Sequence, residues 1–227
     1  MIGNPINQNL QSDDSSVQQV LAFTRAKIIN GEYPPNTKLL PKILAEECGT
    51  SLIPVREAMR ALESDGLVTF IHNRGAWVSP ISIDDLNDLY SVRIPLEMNA
   101  VETAVDLTSE DIKKLHDILD NADAAMNSNN KAEVVKLNKD FHFAIYSHSK
   151  SPWRLRLIET LWSHAERYQR FSLDFRKDAA DREHHDIVDC LAAHDNRGAA
   201  KAMGVHLKTT VGLLNESLQK ANISEVV

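Results

Sequence analysis

Residues 51–62 read SLIPVREAMRAL, and the fold of the front of the chain follows from how that run divides. Val55, Ala58, Met59 and Leu62 recur at the spacing of one helix face and form a buried stripe. Ser51 stands where its hydroxyl can cap the first turn, and Pro54 falls inside that turn, where a missing N–H does little harm. Arg56 and Arg60 lie one turn apart on the face left outside, the charge arrangement of a helix that enters a DNA groove.

Upstream, Lys42 to Cys48 carries Ile43, Leu44 and Ala45 and is ended by Gly49, giving a short helix and a glycine-containing turn before the Ser51 segment. Ser15 to Asn30 places Val17, Val20, Leu21, Thr24, Ile28 and Ile29 at helical spacing, with Gly31 at the C-terminal cap position. Downstream, Leu67 to Ile71 and Ala76 to Ser79 are strand-like runs around His72-Asn73-Arg74-Gly75, a hairpin with a glycine in its turn. Arg74 at the tip can enter a minor groove or grip phosphate, and Gly75 lets the backbone come close. Residues 15–80 therefore predict a winged helix-turn-helix DNA-binding domain. The polar residues 1–14 read as a disordered tail.

The chain has 227 residues and a formal net charge of −7, so bulk charge does not draw it to nucleic acid; DNA binding has to rest on a local basic surface. Five of the eight glycines and six of the eight prolines precede residue 81, which puts short elements in front and long helices behind. Cys48 and Cys190 make no disulfide framework and fit a reducing cytoplasm. The first residues lack both the basic start and the apolar core of a signal peptide, and no stretch approaches a membrane-spanning length. A soluble, cytoplasmic protein without a membrane partner is expected.

Beyond Pro80 the pattern predicts helices over about Ile83 to Leu107, Glu110 to Met126, Lys131 to His148, Pro152 to Phe171, Ala180 to His194 and Arg197 to Lys220. Ser109, Ser151 and Asn196 are their candidate caps, and Pro95 should kink or break the first. Residues 81–222 thus read as an all-helical antiparallel bundle, and the fold class as mainly α. His142, His184 and His206 each share a face with apolar neighbours and point inward from three different helices. A lone inward histidine is usually a hydrogen-bonded core residue, whereas three together favour a metal site. Arg93, one turn before Glu97, is either its ion-pair partner or a bidentate clamp on a carboxylate. Trp153, Trp162, Tyr168 and Phe171 read as core or dimer packing.

The front pattern, Ile29-Asn30-Gly31, Pro34-Pro35, Leu44-Ala45, Gly49, Ser51, Pro54-Val55-Arg56-Glu57-Ala58, Leu62, Gly66-Leu67-Val68 and Arg74-Gly75, resembles the GntR-type winged helix over roughly residues 17–79. The resemblance implies that Lys42, Ser51, Arg56, Arg74 and Gly75 contact double-stranded operator DNA; Leu52, Ile53 and Arg60 join them by position. The family usually has Arg at Lys42 and Arg-Thr at Leu52-Ile53. Arg binds guanine bidentately whereas Leu or Ile can only touch a thymine methyl, so the preferred operator should differ from the family norm.

The back half, with Asn138-x-x-Phe141-His142-x-x-Ile145, Glu183-His184-x-x-Ile187 and Ala199-x-x-x-Met203-x-x-His206-Leu207, is similar to the FCD domain of FadR-type GntR regulators. That resemblance implies a divalent metal, zinc foremost with nickel or manganese as alternatives, on Asn138, His142, His184 and His206. It also implies a small carboxylate effector near Arg93. Asn138 replaces the usual Asp, which removes a charge, lowers metal affinity and raises the pull on an anionic effector. Asp140 lies only two residues from His142, on another side of the helix, and does not replace it.

The expectation is a homodimeric, metabolite-responsive transcription regulator, a repressor, whose effector selects a dimer geometry unsuited to the operator spacing. Two alternatives stand beside it. One is a metal-dependent hydrolase on the three histidines, against which no HExxH or other general-base motif accompanies them. The other is a constitutive DNA-binding dimer without an effector, against which inward polar residues in an apolar bundle cost stability unless used.

Overall fold

The structure, a computed structural model, describes residues 5–169 and 177–221, and the side chains of residues 15–169 and 182–221. The described residues divide into two compact units, one up to Ile81 and one from Ser82 onward.

In the first unit α1 (Pro5–Ile29), α2 (Pro41–Cys48) and α3 (Leu52–Ser64) pack together and against a small antiparallel sheet. Its strands are β1 (Lys38–Leu39), β2 (Val68–Ile71) and β3 (Gly75–Val78), in the order β1-β3-β2, with Lys38 opposite Trp77 and Val68 opposite Val78. One core, built on Val20, Ile28, Leu44, Val55, Met59, Leu62, Leu67 and Val78, ties helices and sheet together. This is the winged helix-turn-helix that the sequence predicts, with three local corrections.

The first helix begins at Pro5, not Ser15: residues 5–14, read from their composition as part of a disordered tail, contain no glycine or internal proline to stop it. Residues 1–4 lie outside the described residues. Strand β1, two residues long, is too short to show a period and escaped the sequence reading. Ser51 does occupy the N-cap position of α3, in an extended conformation, yet its hydroxyl makes no cap hydrogen bond.

The second unit holds α4 (Ile83–Glu102), α5 (Ser109–Asn127), α6 (Lys131–Tyr146), a 3-10 turn (Ser147–Ser149), α7 (Pro152–Gln169), α8 (Lys177–Ala192) and α9 (Asn196–Lys220). Helix α4 packs on α7 and α9, α8 on α9 and α5, and α5 on α6. The α4–α9 contact is close: a Cβ at Gly204 would meet the Met98 sulfur at 2.7 Å, so only glycine fits there without a shift. Helix α4 runs unbroken through Pro95 because packing on both sides holds it, and it ends at Glu102, short of the expected Leu107.

Caps also differ by a residue. Thr108, not Ser109, caps α5 in a reciprocal box with Asp111, and Asp195, not Asn196, caps α9; Ser151 Oγ does accept from the Arg154 N–H. Trp162 and Tyr168 are core residues, whereas Trp153 is 73% exposed. Phe171 and residue 222, the expected end of the bundle, lie outside the described residues. No helix among the described residues is long and apolar enough to cross a membrane.

Candidate functional sites

The first candidate site is the outer face of the winged helix. Helix α3 turns Pro54, Val55, Ala58, Met59 and Leu62 inward, which forces Leu52, Ile53, Arg56 and Arg60 outward. Lys42 on α2, Ser51, and Arg74 and Gly75 at the β2–β3 turn are exposed as well. That turn is closed by the Arg74 N–H donating to the Ile71 carbonyl at 2.9 Å, and Gly75 takes a left-handed φ of 86°, which a side chain would strain. Neither Arg56 nor Arg60 pairs with Glu57, Glu63 or any other acid among the described residues. The face is held from behind by the Arg25–Asp65 ion pair and by Glu47, which accepts from Tyr33 at 2.5 Å and from Lys27 at 3.2 Å.

The second candidate site lies inside the bundle. His142 on α6, His184 on α8 and His206 on α9 are buried, with 1%, 7% and 1% exposure, and one ligating atom from each lies within 4.8 Å of the others. Their ring centroids are 4.4 to 5.3 Å apart, with Phe141 against His184 and Trp162 against His142.

Hydrogen bonds orient the rings. Tyr146 gives its one hydroxyl proton to Glu97 Oε2 at 2.5 Å, so in its 2.9 Å contact with His142 the Nδ1–H is the donor and Nε2 carries the lone pair. Glu183 accepts from His206 Nδ1 at 3.0 Å, which likewise leaves the lone pair of His206 on Nε2. That nitrogen faces His184 Nε2 at 3.3 Å. Two nitrogens bound to one tetrahedral zinc ion at about 2.1 Å would be roughly 3.4 Å apart, so the spacing fits a shared ion; a shared proton is the other arrangement it fits. The cluster can thus hold a metal ion.

Asn138, half-buried one turn before His142, hydrogen-bonds to none of the three imidazoles among the described residues. Arg93 is joined to the cluster through side chains: its Nε donates to Glu97 Oε1 at 2.6 Å, and Glu97 meets Tyr146, which meets His142. Its guanidinium lies 4.8 Å from the ring centres of both Tyr90 and Trp162, and Nη1 is buried with no hydrogen-bond partner among the described residues. Burial alone would lower the Arg93 pKa, but Glu97, Tyr90 and Tyr146 outweigh it and hold it above its ordinary value. Burial, then Glu97, pushes the Tyr146 phenol well up, so it stays protonated and able to donate.

The sequence brought the three histidines forward but not Glu183, Tyr146 or the link through Glu97. Tyr146 had a signal, one turn after His142. Glu183 stood in the Glu183-His184-x-x-Ile187 pattern, but its role was not legible there, because it acts across helices, on His206 rather than on its neighbour His184.

Residues 88–209 match the FCD domain, and residues 17–78 match the bacterial regulatory proteins of the gntR family. The chain is 30% identical over 183 residues to the uncharacterized HTH-type transcriptional regulator YdhC of Bacillus subtilis strain 168, which spans 79% of this chain and 82% of that protein. It is 26% identical to the HTH-type transcriptional repressor GlaR of Escherichia coli strain K12, over 84% and 92% of the two. The solved structure of E. coli McbR/YncC superposes with a TM-score of 0.77 at 25% identity, over 88% of this chain and 97% of that one.

Proposed function

The chain belongs to the GntR family of bacterial regulatory proteins, in the branch that carries an FCD domain, and from that premise we propose a repressor whose grip on its operator is set by a small carboxylate bound in the helical unit. DNA-binding transcription regulation, not catalysis, is the activity of this family, and the hydrolase alternative falls with it. Lys42, Ser51, Leu52, Ile53, Arg56, Arg60, Arg74 and Gly75 form the DNA-contacting set in this reading, all exposed on one small domain. A single such domain has modest contact area and specificity, so two would act together on a pseudo-palindromic operator as a homodimer.

The observation that carries effector control is the Arg93 Nη1, a charged donor buried without a hydrogen-bond partner among the described residues, on the same Trp162 ring that His142 touches. An unused buried guanidinium N–H costs stability unless a ligand takes it, and a carboxylate is the group that matches its fork. His142, His184 and His206, with Asn138 as the fourth candidate ligand, would hold a divalent ion, zinc foremost. When bound, that ion would supply a positive centre and an open position for the carboxylate. Glu97 and Tyr146 keep Arg93 and His142 in fixed orientation, and Glu183 does so for His206.

The test is fluorescence anisotropy of the full chain on promoter fragments from its own genome, with a panel of small carboxylates. Specific binding that one carboxylate weakens supports the reading. Binding that none of them alters favours the constitutive dimer, and equal affinity for promoter and scrambled DNA overturns the whole.

A further inference from the structure

We infer that the tip of α3 reads a 5-methylpyrimidine in the operator through Ile53 and Leu52; the inference rests on the operator-binding reading above. Ile53 is 67% exposed and Leu52 37%, at the first residues of a helix whose apolar stripe is already complete without them. Most of the Ile53 side chain is left in water by this domain, whereas Leu52 is partly covered. Ile53 shares its face with Arg56 and Arg60, which carry no ion pair among the described residues, so the surface that presents the isoleucine also presents charge for phosphate. That charge complementarity names the occupant as DNA.

What an aliphatic tip can recognise there is narrow. It has no donor or acceptor, so it cannot read the polar edges of guanine, adenine or cytosine. In the major groove the one apolar feature of an unmodified base pair is the thymine C5 methyl, and 5-methylcytosine places the same group at the same position. Ile53 and Arg56 are about 4.5 Å apart along the helix axis, against roughly 3.4 Å between successive base pairs on one strand. The two residues are therefore close enough to engage the same stretch of groove. A polar side chain at position 53 would be better solvated in the free protein, so the exposed isoleucine gains only where a methyl covers it.

The experiment uses the full chain and a random duplex pool. The enriched duplex is the probe, remade with each thymine in turn replaced by deoxyuridine, which removes only the methyl. We expect one thymine in each half-site whose replacement weakens binding roughly fourfold, the scale of one buried methyl-sized group. Ile53→Ala should bind the thymine and deoxyuridine probes equally, and at that position 5-methylcytosine should bind better than cytosine. Because Ile53 is 67% exposed, Ile53→Ala should keep the wild-type circular dichroism and melting temperature, and Leu52→Ala, partly covered, should keep the circular dichroism. An enriched duplex that tolerates deoxyuridine at every position overturns the inference alone, as does undiminished methyl sensitivity in both Ile53→Ala and Leu52→Ala, which would release the apolar tip for a protein partner instead. A pool that enriches nothing overturns the operator-binding reading first and this inference with it.

Discussion

Arg93 Nε and Glu97 Oε1 lie 2.6 Å apart on successive turns of α4, with 1% and 0% of their side chains exposed. Removing one member of such a pair strands the other charge in the interior, whereas replacing both with apolar groups strands neither. Glu97→Ala should cost about 3–5 kcal/mol in urea denaturation. The double variant Arg93→Met/Glu97→Leu should recover part of that loss, the Tyr146 hydroxyl still lacking its acceptor, while abolishing the response to the carboxylate. A double variant as unstable as Glu97→Ala would mean that the pair is not the source of the cost.

The Glu183 carboxylate holds His206 by its Nδ1, which fixes the ring and makes Nε2 the better ligand. Glu183→Gln keeps the shape and removes the charge. It should weaken binding of cobalt(II), followed by its visible absorption, by about 10- to 100-fold. Asn138→Asp should strengthen it by adding a charged oxygen donor, and His184→Ala should abolish uptake while the chain stays folded. Elemental analysis of wild-type protein grown in metal-replete medium should find about one divalent ion per chain; none would remove the metal from the mechanism.

What could be read from the chain alone was what short spacings dictate. The stripe Val55, Ala58, Met59 and Leu62 defined α3 because burial of one face is a local property, and the inward set of His142, His184 and His206 followed from the same periodicity. Features decided by tertiary packing were not legible. Pro95 stays within α4 because α7 and α9 hold that helix, and β1 exists only because Lys38 and Leu39 meet Trp77 and Ala76 from far along the chain. Competition between near-equivalent caps was lost too: Thr108 and Ser109 are both good cap residues, and the reciprocal bond with Asp111 selects the first. At Arg93 the ion-pair reading is met by Nε on Glu97, while Nη1 has no hydrogen-bond partner among the described residues.

Arg56 is exposed on α3 and neutralised by no acid among the described residues. If it reads a base edge, Arg56→Ala should weaken specific binding by about 1–3 kcal/mol and leave the affinity for scrambled duplex almost unchanged. An equal loss on both duplexes would make it a phosphate contact, with a shallower salt dependence as its mark.

Trp153 and Leu157 stand one turn apart on α7, 73% and 51% exposed, with the Arg156 guanidinium 4.4 Å over the indole. An exposed tryptophan and leucine on one helix face are an apolar surface that a second copy of the chain could cover. If the homodimer covers it, Trp153→Glu should shift the sedimentation coefficient from dimer to monomer and weaken operator binding with no change in helical content. A variant that still sediments as a dimer would place the subunit interface elsewhere.

Thr24 is fully buried on α1, in the core with Val20 and Ile28, and its hydroxyl has no hydrogen-bond partner among the described residues. A hydroxyl removed from water without a replacement bond is a net cost, and valine has the same branched shape with a methyl in its place. Both residues are β-branched, so helix propensity changes little. Thr24→Val should therefore stabilise the chain by about 1 kcal/mol, seen as a raised midpoint in urea at unchanged slope. Thr24→Ser should destabilise it, because the hydroxyl stays and a buried methyl is lost. If Thr24→Val is instead the less stable protein, the hydroxyl has a partner such as an ordered water, and the packing of α1 rests on a polar contact rather than on an apolar stripe.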